Sequence, residues 1–317
     1  MTELDVITVG RVSVDLYARE AGVGFEGAQT FEKSVGGSPT NVAVAAARLG
    51  RRAAVATKVG ADPFGVYVRR KLESFGVDTR FVGTHPTLRT PLAFAAMDPP
   101  DDPPILFYRE PNAPDMTIEP GELDAAAVRD VPIFWVSASA LSREPIAGTV
   151  GALLDERARR PHTVLDLDYR PVFWTSEAEA RERIGAAVAS CTVAVGNRTE
   201  CDIAVGSDDP DTAADRLLER GVDLAIVKRG GDGVLVAWSD GRALVPPRPV
   251  QVVCGLGAGD AFGGALCHGL LEGWDPRQIV EYANAAGAIV ASRLLCSDAM
   301  PFDAEVRALL EWSDAAG

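Results

Sequence analysis

Short apolar runs rich in β-branched residues alternate along this chain with longer stretches rich in Ala, Leu and Arg. The runs are VITVG at 6–10, AVATKVG at 54–60, IFWVSA at 133–138, TVLDLD at 163–168, VAVGN at 193–197 and LAIVKRG at 224–230. Their length and composition predict buried strands, and the intervening segments of helical period predict covering helices. Strand and helix in alternation imply an α/β fold with a mainly parallel sheet. Ser38 is expected to cap a helix that has Pro39 in its first turn and Gly50 at its left-handed end. Asp275 and Pro276 open a second helix in the same way.

Two stretches, roughly 11–35 and 81–110, break this rhythm. Their segments SVDLY, TPLAFAAMD and ILFYRE alternate as antiparallel strands do, and DPPDDPP at 98–104 reads as a turn. They predict a small β lid beside the mouth of the parallel sheet, where open α/β folds bind ligands. No internal repeat or low-complexity linker divides the chain, so residues 1–317 are expected to form one domain.

With 317 residues, 47% of them hydrophobic, the chain is long enough to bury a full core. Its 45 acidic and 31 basic residues leave a net charge of −14, which argues against nucleic acid and anionic membrane as partners. Cys191, Cys201, Cys254, Cys267 and Cys296 show no metal-ligand spacing and read as reduced, buried thiols. The start MTELDVITVGRV has no basic region followed by an apolar stretch, and no apolar window approaches membrane length, so a cytoplasmic protein is expected.

Chemistry concentrates in GLGAGDAFGGALCHGLLEG, residues 255–273. Gly257, Ala258 and Gly259 lead into a helix with Asp260 in its first turn. Small residues let successive backbone N–H groups converge on an anion, and the helix N-terminus adds partial positive charge. With a carboxylate alongside, that arrangement suits phosphoryl transfer: the amides stabilise the moving phosphoryl, and Asp260 takes the acceptor hydroxyl's proton. The alternative is an ordinary glycine-rich helix start. A second cluster, VGGSPTNVAVAAARLG at 35–50, has Gly36 and Gly37 where a backbone can approach a ligand closely, and Asn41 in an otherwise apolar helix. Asn is a poor helix former, so it is explained either by a ligand contact or by a buried bond to a neighbouring loop.

These two clusters, in this order, resemble the two signatures of the ribokinase-like (PfkB) carbohydrate kinases, and the resemblance extends over nearly the whole chain. It implies a three-layer α/β sandwich, ATP and Mg²⁺, and Asp260 as base with Gly257, Ala258 and Gly259 as anion hole. It also implies that Asp15 contacts sugar hydroxyls, and that Gly36, Gly37 and Asn41 line the sugar. NRTE at 197–200 resembles the family's NxxE motif, which brings Asn197 near the phosphates and Glu200 near Mg²⁺ through water. KRGGDG at 228–233 resembles the nucleotide-side loop, with Lys228, Gly230 and Gly233, and Asn284 falls where the family approaches adenine.

Within the family, DPPDDPPILFYREPNAPD, DLDYRPVFW and CSDAMP are similar to a branch of myo-inositol catabolism whose acceptor is a sugar acid, 5-dehydro-2-deoxy-D-gluconate. A carboxylate calls for guanidinium partners, and Arg109 and Arg170 are the candidates. Competing acceptors are 2-keto-3-deoxygluconate and fructose, and a competing class is a sugar-responsive regulator without catalysis. Cys254, Gly255 and Leu256 stand where many relatives carry an Asp-Thr pair; a thiol and an apolar side chain are poor ligands for a hard cation, which argues against a bound monovalent cation. GVGFEG at 22–27 lacks the helix a dinucleotide loop requires, no Walker loop is present, and His85, His162 and His268 are too scattered to form a centre. Exposed edges of the lid strands would suit a homodimer.

Overall fold

A computed structural model describes residues 3–315. Among the described residues the strands are β1 (Val6–Val9), β2 (Ser13–Ala21), β3 (Phe31–Gly36), β4 (Ala53–Gly60), β5 (Val82–His85), β6 (Leu92–Met97), β7 (Ile105–Tyr108), β8 (Ile133–Ser137), β9 (Thr163–Asp166), β10 (Val193–Asn197), β11 (Leu224–Lys228), β12 (Val234–Trp238) and β13 (Gly241–Val245). Nine of them form one sheet in the order β13-β12-β11-β10-β9-β8-β1-β4-β5. From β11 to β5 every neighbouring pair is parallel, and β12 and β13 extend the sheet as an antiparallel hairpin.

Each central strand sends alternate apolar residues to opposite faces, so both faces need a cover. Val6, Val55, Ile133 and Trp135 point into one core, and Ile7, Ala54, Phe134 and Val136 into the other. Helices α1 (Ser38–Arg48) and α2 (Pro63–Ser74) cover the first face. The next five, α3 (Ala125–Asp130), α4 (Ile146–Arg157), α5 (Glu177–Val188), α6 (Arg198–Val205) and α7 (Pro210–Glu219), cover the second. Finally α8 (Ala258–Glu272), α9 (Pro276–Ala291) and α10 (Asp303–Ala315) return to the first, completing three layers. None of these helices is long and apolar enough to cross a membrane.

The remaining strands form the lid sheet, β3-β2-β6-β7. Three features depart from expectation. The segment 81–110 does not belong wholly to the lid, because β5 pairs with β4 at the edge of the main sheet. The central lid pair β2–β6 is parallel. Between these two strands the chain leaves to build α1, β4, α2 and β5, and such a crossover returns it in the same direction, whereas the antiparallel reading holds for β2–β3 and β6–β7. Ser38 is not the cap of α1: Gly37 is, with φ of 101°, and the Ser38 hydroxyl donates instead to the buried carboxylate of Asp166 at 3.1 Å. Gly50 and Asp275 hold the terminal positions expected of them.

From β1 the sheet grows first toward β4 and β5, then resumes on the other side at β8. The C-terminal ends of β1 and β8 therefore flank a topological switch point, and the lid lies over it. Across that edge α8 packs against α1 at very short range: a Cβ on Gly264 would stand 2.3 Å from the Ala45 Cβ and 2.8 Å from the Ala46 backbone nitrogen. Gly264→Leu is expected to force the two helices apart and cost roughly 1–3 kcal/mol, the usual range for overpacking. Thermal unfolding should then show a drop of several degrees; an unchanged Tm would mean that the helices have room to spare.

Candidate active site

Between the C-terminal edge of the sheet and the lid lies a cavity whose polar lining includes Arg11, Asp15, Asn41, Arg170 and Asp260. Asp260 is in the first turn of α8, whose cap, Gly257, has φ of 83°. One Asp260 oxygen accepts from Asn41 Nδ2 at 2.7 Å, and Asn41 Oδ1 accepts from Ser297 Oγ at 2.7 Å. Asn41 thus ties the carboxylate to the loop after α9 while also facing the cavity. The buried-bond explanation for an Asn in this helix holds, and the side chain also faces the cavity. Burial raises the Asp260 carboxyl above its ordinary pKa, against the hydrogen bond from Asn41.

Asp15 projects from β2 into the same cavity. It accepts from Ser13 Oγ at 2.6 Å and has the Tyr17 hydroxyl 3.1 Å from its other oxygen. Burial raises this carboxyl as well. The glycine pair makes room for these approaches: a Cβ on Gly36 would lie 1.8 Å from an Asp15 oxygen, and one on Gly37 2.4 Å from the Arg11 carbonyl. Gly37 lines the cavity and Gly36 lies behind Asp15.

The two arginines expected at the acceptor differ in placement. Arg170 lines the cavity, with Nε 3.2 Å from Asp168 Oδ1. Arg109 does not line it: the side chain is buried, paired with Asp115 at 2.6 Å and laid over the Phe173 ring. Desolvation makes an unpaired guanidinium costly at that depth, so Asp115 claims it. Arg11, which sequence reasoning passed over, lines the cavity instead. It follows β1 directly and places Nη2 2.9 Å from Asp168 Oδ2 and Nε 3.3 Å from Ser139 Oγ. Its signal was a cation closing an apolar strand at the ligand-binding edge.

On the other side of the α8 N-terminus a wider groove of about 1430 Å³ is lined by Ala258, Gly259, Lys228, Gly230, Gly233 and Asn284, with Phe262, Val252 and Ala288 as apolar floor. Asn284 Nδ2 donates to the Pro246 carbonyl at 3.1 Å. Burial lowers the Lys228 ammonium, but the carboxylates of Glu200, Asp166 and Asp260 outweigh it and the net shift is upward, so Lys228 is firmly charged. Asn197 and Glu200 line neither cavity. They form a reciprocal capping box on α6, Asn197 Oδ1 accepting from the Glu200 amide at 2.9 Å and Glu200 Oε2 from the Asn197 amide at 2.7 Å. The pairing of Asn197 with Lys228 across β10 and β11 nevertheless brings this cap beside the lysine.

Two further carboxylates at the edge were not singled out from sequence. Asp168 is buried, yet Arg11 and Arg170 hold it well below the ordinary carboxylate range. Asp166, two residues earlier, is pushed up to about 7 by burial, with Asp168 and Glu200 adding to the rise and Lys228 opposing it. Among the described residues no group of three or more His, Cys, Asp or Glu side chains is arranged to hold a metal by itself. All five cysteines are free and buried, and the three histidines stay apart, His268 stacking on Tyr282.

A sequence profile described as pfkB family carbohydrate kinase matches residues 3–303. Among curated proteins, 5-dehydro-2-deoxygluconokinase of Geobacillus kaustophilus is 35% identical over 316 residues, covering 97% of this chain and 94% of its own. The protein of the same name from Photobacterium profundum is 36% identical over 307 residues, covering 94% and 92%. Among solved structures, a putative ribokinase II from E. coli in complex with ATP and Mg²⁺ superposes with a TM-score of 0.87 at 24% identity, over 98% of this chain and 99% of that one. Fructokinase with bound ATP from Xylella fastidiosa gives 0.85 at 25% identity, over 98% and 99%.

The opposed carboxylates generate a stability prediction. Folded Asp166 holds its proton more tightly than the unfolded chain would, so the stability this confers is full below the ordinary carboxylate pKa of 3.8 and is lost as pH rises through about 7. Replacing it by Asn removes that loss. The difference in Tm between ligand-free Asp166→Asn and the parent protein should grow in the variant's favour from about pH 5 to about pH 8. Parallel melting profiles by calorimetry would show that the buried carboxyl does not titrate in this range.

Proposed function

Because the chain belongs to the pfkB family of carbohydrate kinases, we propose that it transfers the γ-phosphoryl of ATP to the terminal hydroxyl of a sugar acid, 5-dehydro-2-deoxy-D-gluconate. One observation carries the reading: the lidded cavity and the open groove meet at the start of α8, with Gly257 and Asp260 on the cavity side and Ala258 and Gly259 on the groove side. A phosphoryl group passing from groove to cavity must cross the amides of that first turn. The curated relatives point to the acceptor, and the E. coli and Xylella complexes, each with ATP bound, point to the nucleotide.

In this reading Asp260 accepts the hydroxyl proton, with Asn41 fixing the orientation of its carboxylate. The amides of Gly257, Ala258 and Gly259 stabilise charge on the phosphoryl oxygens, and Lys228 adds a fixed cation from the groove wall. Gly230, Gly233 and Asn284 flank the nucleotide. Bound Mg²⁺ would supply neutralising charge at the phosphates. Glu200 suits an indirect hold on it: one oxygen is engaged by the Asn197 amide, and the other finds no hydrogen-bond partner among the described residues. Asp15 binds acceptor hydroxyls, Arg170 faces the acceptor's carboxylate, and the lid excludes water from the reacting phosphate. Arg109 is left as a strut on Asp115.

A monovalent cation has no part in this reading. Arg48 Nη1 donates to the carbonyls of Asp298 and Met300, and Arg293 Nη1 to that of Ala299, so guanidinium groups satisfy the loop that abuts Gly257. A homodimer is supported by the outer face of the lid, where Phe31, Leu106 and Tyr108 are exposed and Phe94 stacks edge-on between Phe31 and Tyr108.

The deciding experiment is an ADP-release assay over 5-dehydro-2-deoxygluconate, 2-keto-3-deoxygluconate and fructose, with Asp260→Asn alongside. The sugar acid named first should give the highest kcat/KM, and the variant should lose roughly 10²–10⁴ in kcat, the usual worth of a general base, while keeping its affinity for ATP. Near-normal turnover in the variant would remove Asp260 from the role. For the parent enzyme, kcat/KM should be full above the raised pKa of Asp260 and decline as pH falls through it, so the acid limb lies above the range of an exposed carboxylate. Exchanging K⁺ for Na⁺ should change kcat by less than about twofold, and a loss of more than about tenfold would point to a cation site.

A further inference from the structure

The geometry points to Arg11, acting with Arg170, as the subsite for the acceptor's carboxylate, with Asp168 as the positioning residue that holds both guanidinium groups. This rests on the reading of the acceptor as a sugar acid and names the side chains that select for it.

The charge arrangement is uneven in a way that a structural ion pair does not require. Asp115 and Arg109 make a private pair, one cation to one anion, away from the cavity. Asp168, by contrast, is shared: Oδ2 accepts from Arg11 Nη2 at 2.9 Å and from Ser137 Oγ at 2.8 Å, and Oδ1 from Arg170 Nε at 3.2 Å. Two cations on one carboxylate leave a surplus positive charge on the wall of a cavity, within a protein whose net charge is −14.

The surplus comes with donors to spare. Arg11 uses Nη2 on Asp168 and Nε on Ser139, and Arg170 uses Nε on Asp168. Among the described residues Arg11 Nη1 and both Arg170 Nη atoms have no hydrogen-bond partner. A carboxylate entering the cavity meets these ends directly, in the planar fork geometry that guanidinium offers and ammonium does not.

Position supports selectivity. Arg11 is only 8% exposed, so it is already desolvated and held in place, with its guanidinium over the Phe173 ring at 5.5 Å. Phe173 follows Arg170 closely in the chain, and its ring also carries Arg109 at 5.1 Å. The rest of the cavity repels an anion, since its other charged side chains are Asp15 and Asp260. An acidic acceptor therefore has one place for its carboxylate, which leaves its hydroxyl chain to run toward the two aspartates.

The test compares the parent enzyme, Arg11→Met, Arg11→Lys and Arg170→Met in steady-state kinetics, with 5-dehydro-2-deoxygluconate as acidic and fructose as neutral acceptor. Losing a charge-assisted fork should raise KM for the sugar acid by roughly 10–100-fold, with KM for ATP within about threefold, and should raise KM for fructose by a much smaller factor. Arg11→Lys should recover only part of the loss, and it keeps the test alive if Arg11→Met does not fold. Normal turnover of the sugar acid by the parent, with its KM unmoved in Arg11→Met or Arg11→Lys, overturns the inference alone. An equal rise in KM for acidic and neutral acceptors also overturns it. A parent enzyme active only on fructose overturns this inference together with the reading on which it rests.

Discussion

The reaction centre depends on how closely α8 can approach α1. Gly264 against Ala45 and Ala46 sets the separation of the two helices, and Asn41 on α1 then reaches Asp260 on α8 at 2.7 Å. The same asparagine is anchored by Ser297, so three segments distant in sequence converge on one carboxylate. The amides of the first turn of α8 belong to the same rigid helix as the carboxylate. Fixing the helix therefore fixes the proposed base and anion hole relative to one another, a preorganisation that would cost no rearrangement during the proposed reaction. The abundance of Gly and Ala in both helices follows from this requirement, because larger side chains at the seam would separate Asp260 from Asn41.

Charge at the sheet edge is set by burial and by the neighbours that oppose or reinforce it. Asp166 and Asp168 are both buried, yet they shift in opposite directions, because Arg11 and Arg170 face Asp168 while Asp166 shares Lys228 with other carboxylates. Lys228 stays charged for the complementary reason, being surrounded by acids. The arrangement answers the difficulty posed by a strongly acidic protein that must receive anionic ligands. A few cations, placed on carboxylates that immobilise them, make each ligand's surroundings locally favourable against an unfavourable overall field.

The parts of this design carried by local pattern were legible in the sequence. Strands β1, β4, β8, β9, β10 and β11 are continuous apolar runs, and the GAGD helix start announces itself through glycine spacing. What could not be read depends on pairing between distant segments. β5 has only one buried residue in four, and its place in the main sheet follows from register with β4 alone. Arg109 and Arg11 both end apolar strands and are indistinguishable by local sequence; Asp115, six residues after Arg109, neutralises one, while Asp168, 157 residues after Arg11, leaves the other facing the cavity. The NRTE segment shows the converse, a motif suggesting chemistry whose two defining side chains first of all cap a helix.

The hairpin of β6 and β7 joins the two cavities mechanically. Ala93, Ala95, Ile105 and Phe107 on its strands line the lidded cavity, while Asp101 at its tip lines the open groove. At that tip the Gly255 amide donates to the Pro100 carbonyl at 2.8 Å, and the Asp101 carbonyl fills the space a Gly255 side chain would need. Gly255 lies just ahead of Gly257, so the lid is hydrogen-bonded to the loop that leads into α8. The lidded cavity and the open groove thus share one structural element, tied at its tip to the loop ahead of α8. The acidic, proline-rich turn therefore has a place that its composition alone did not disclose, since the hairpin that carries it helps to build both cavities.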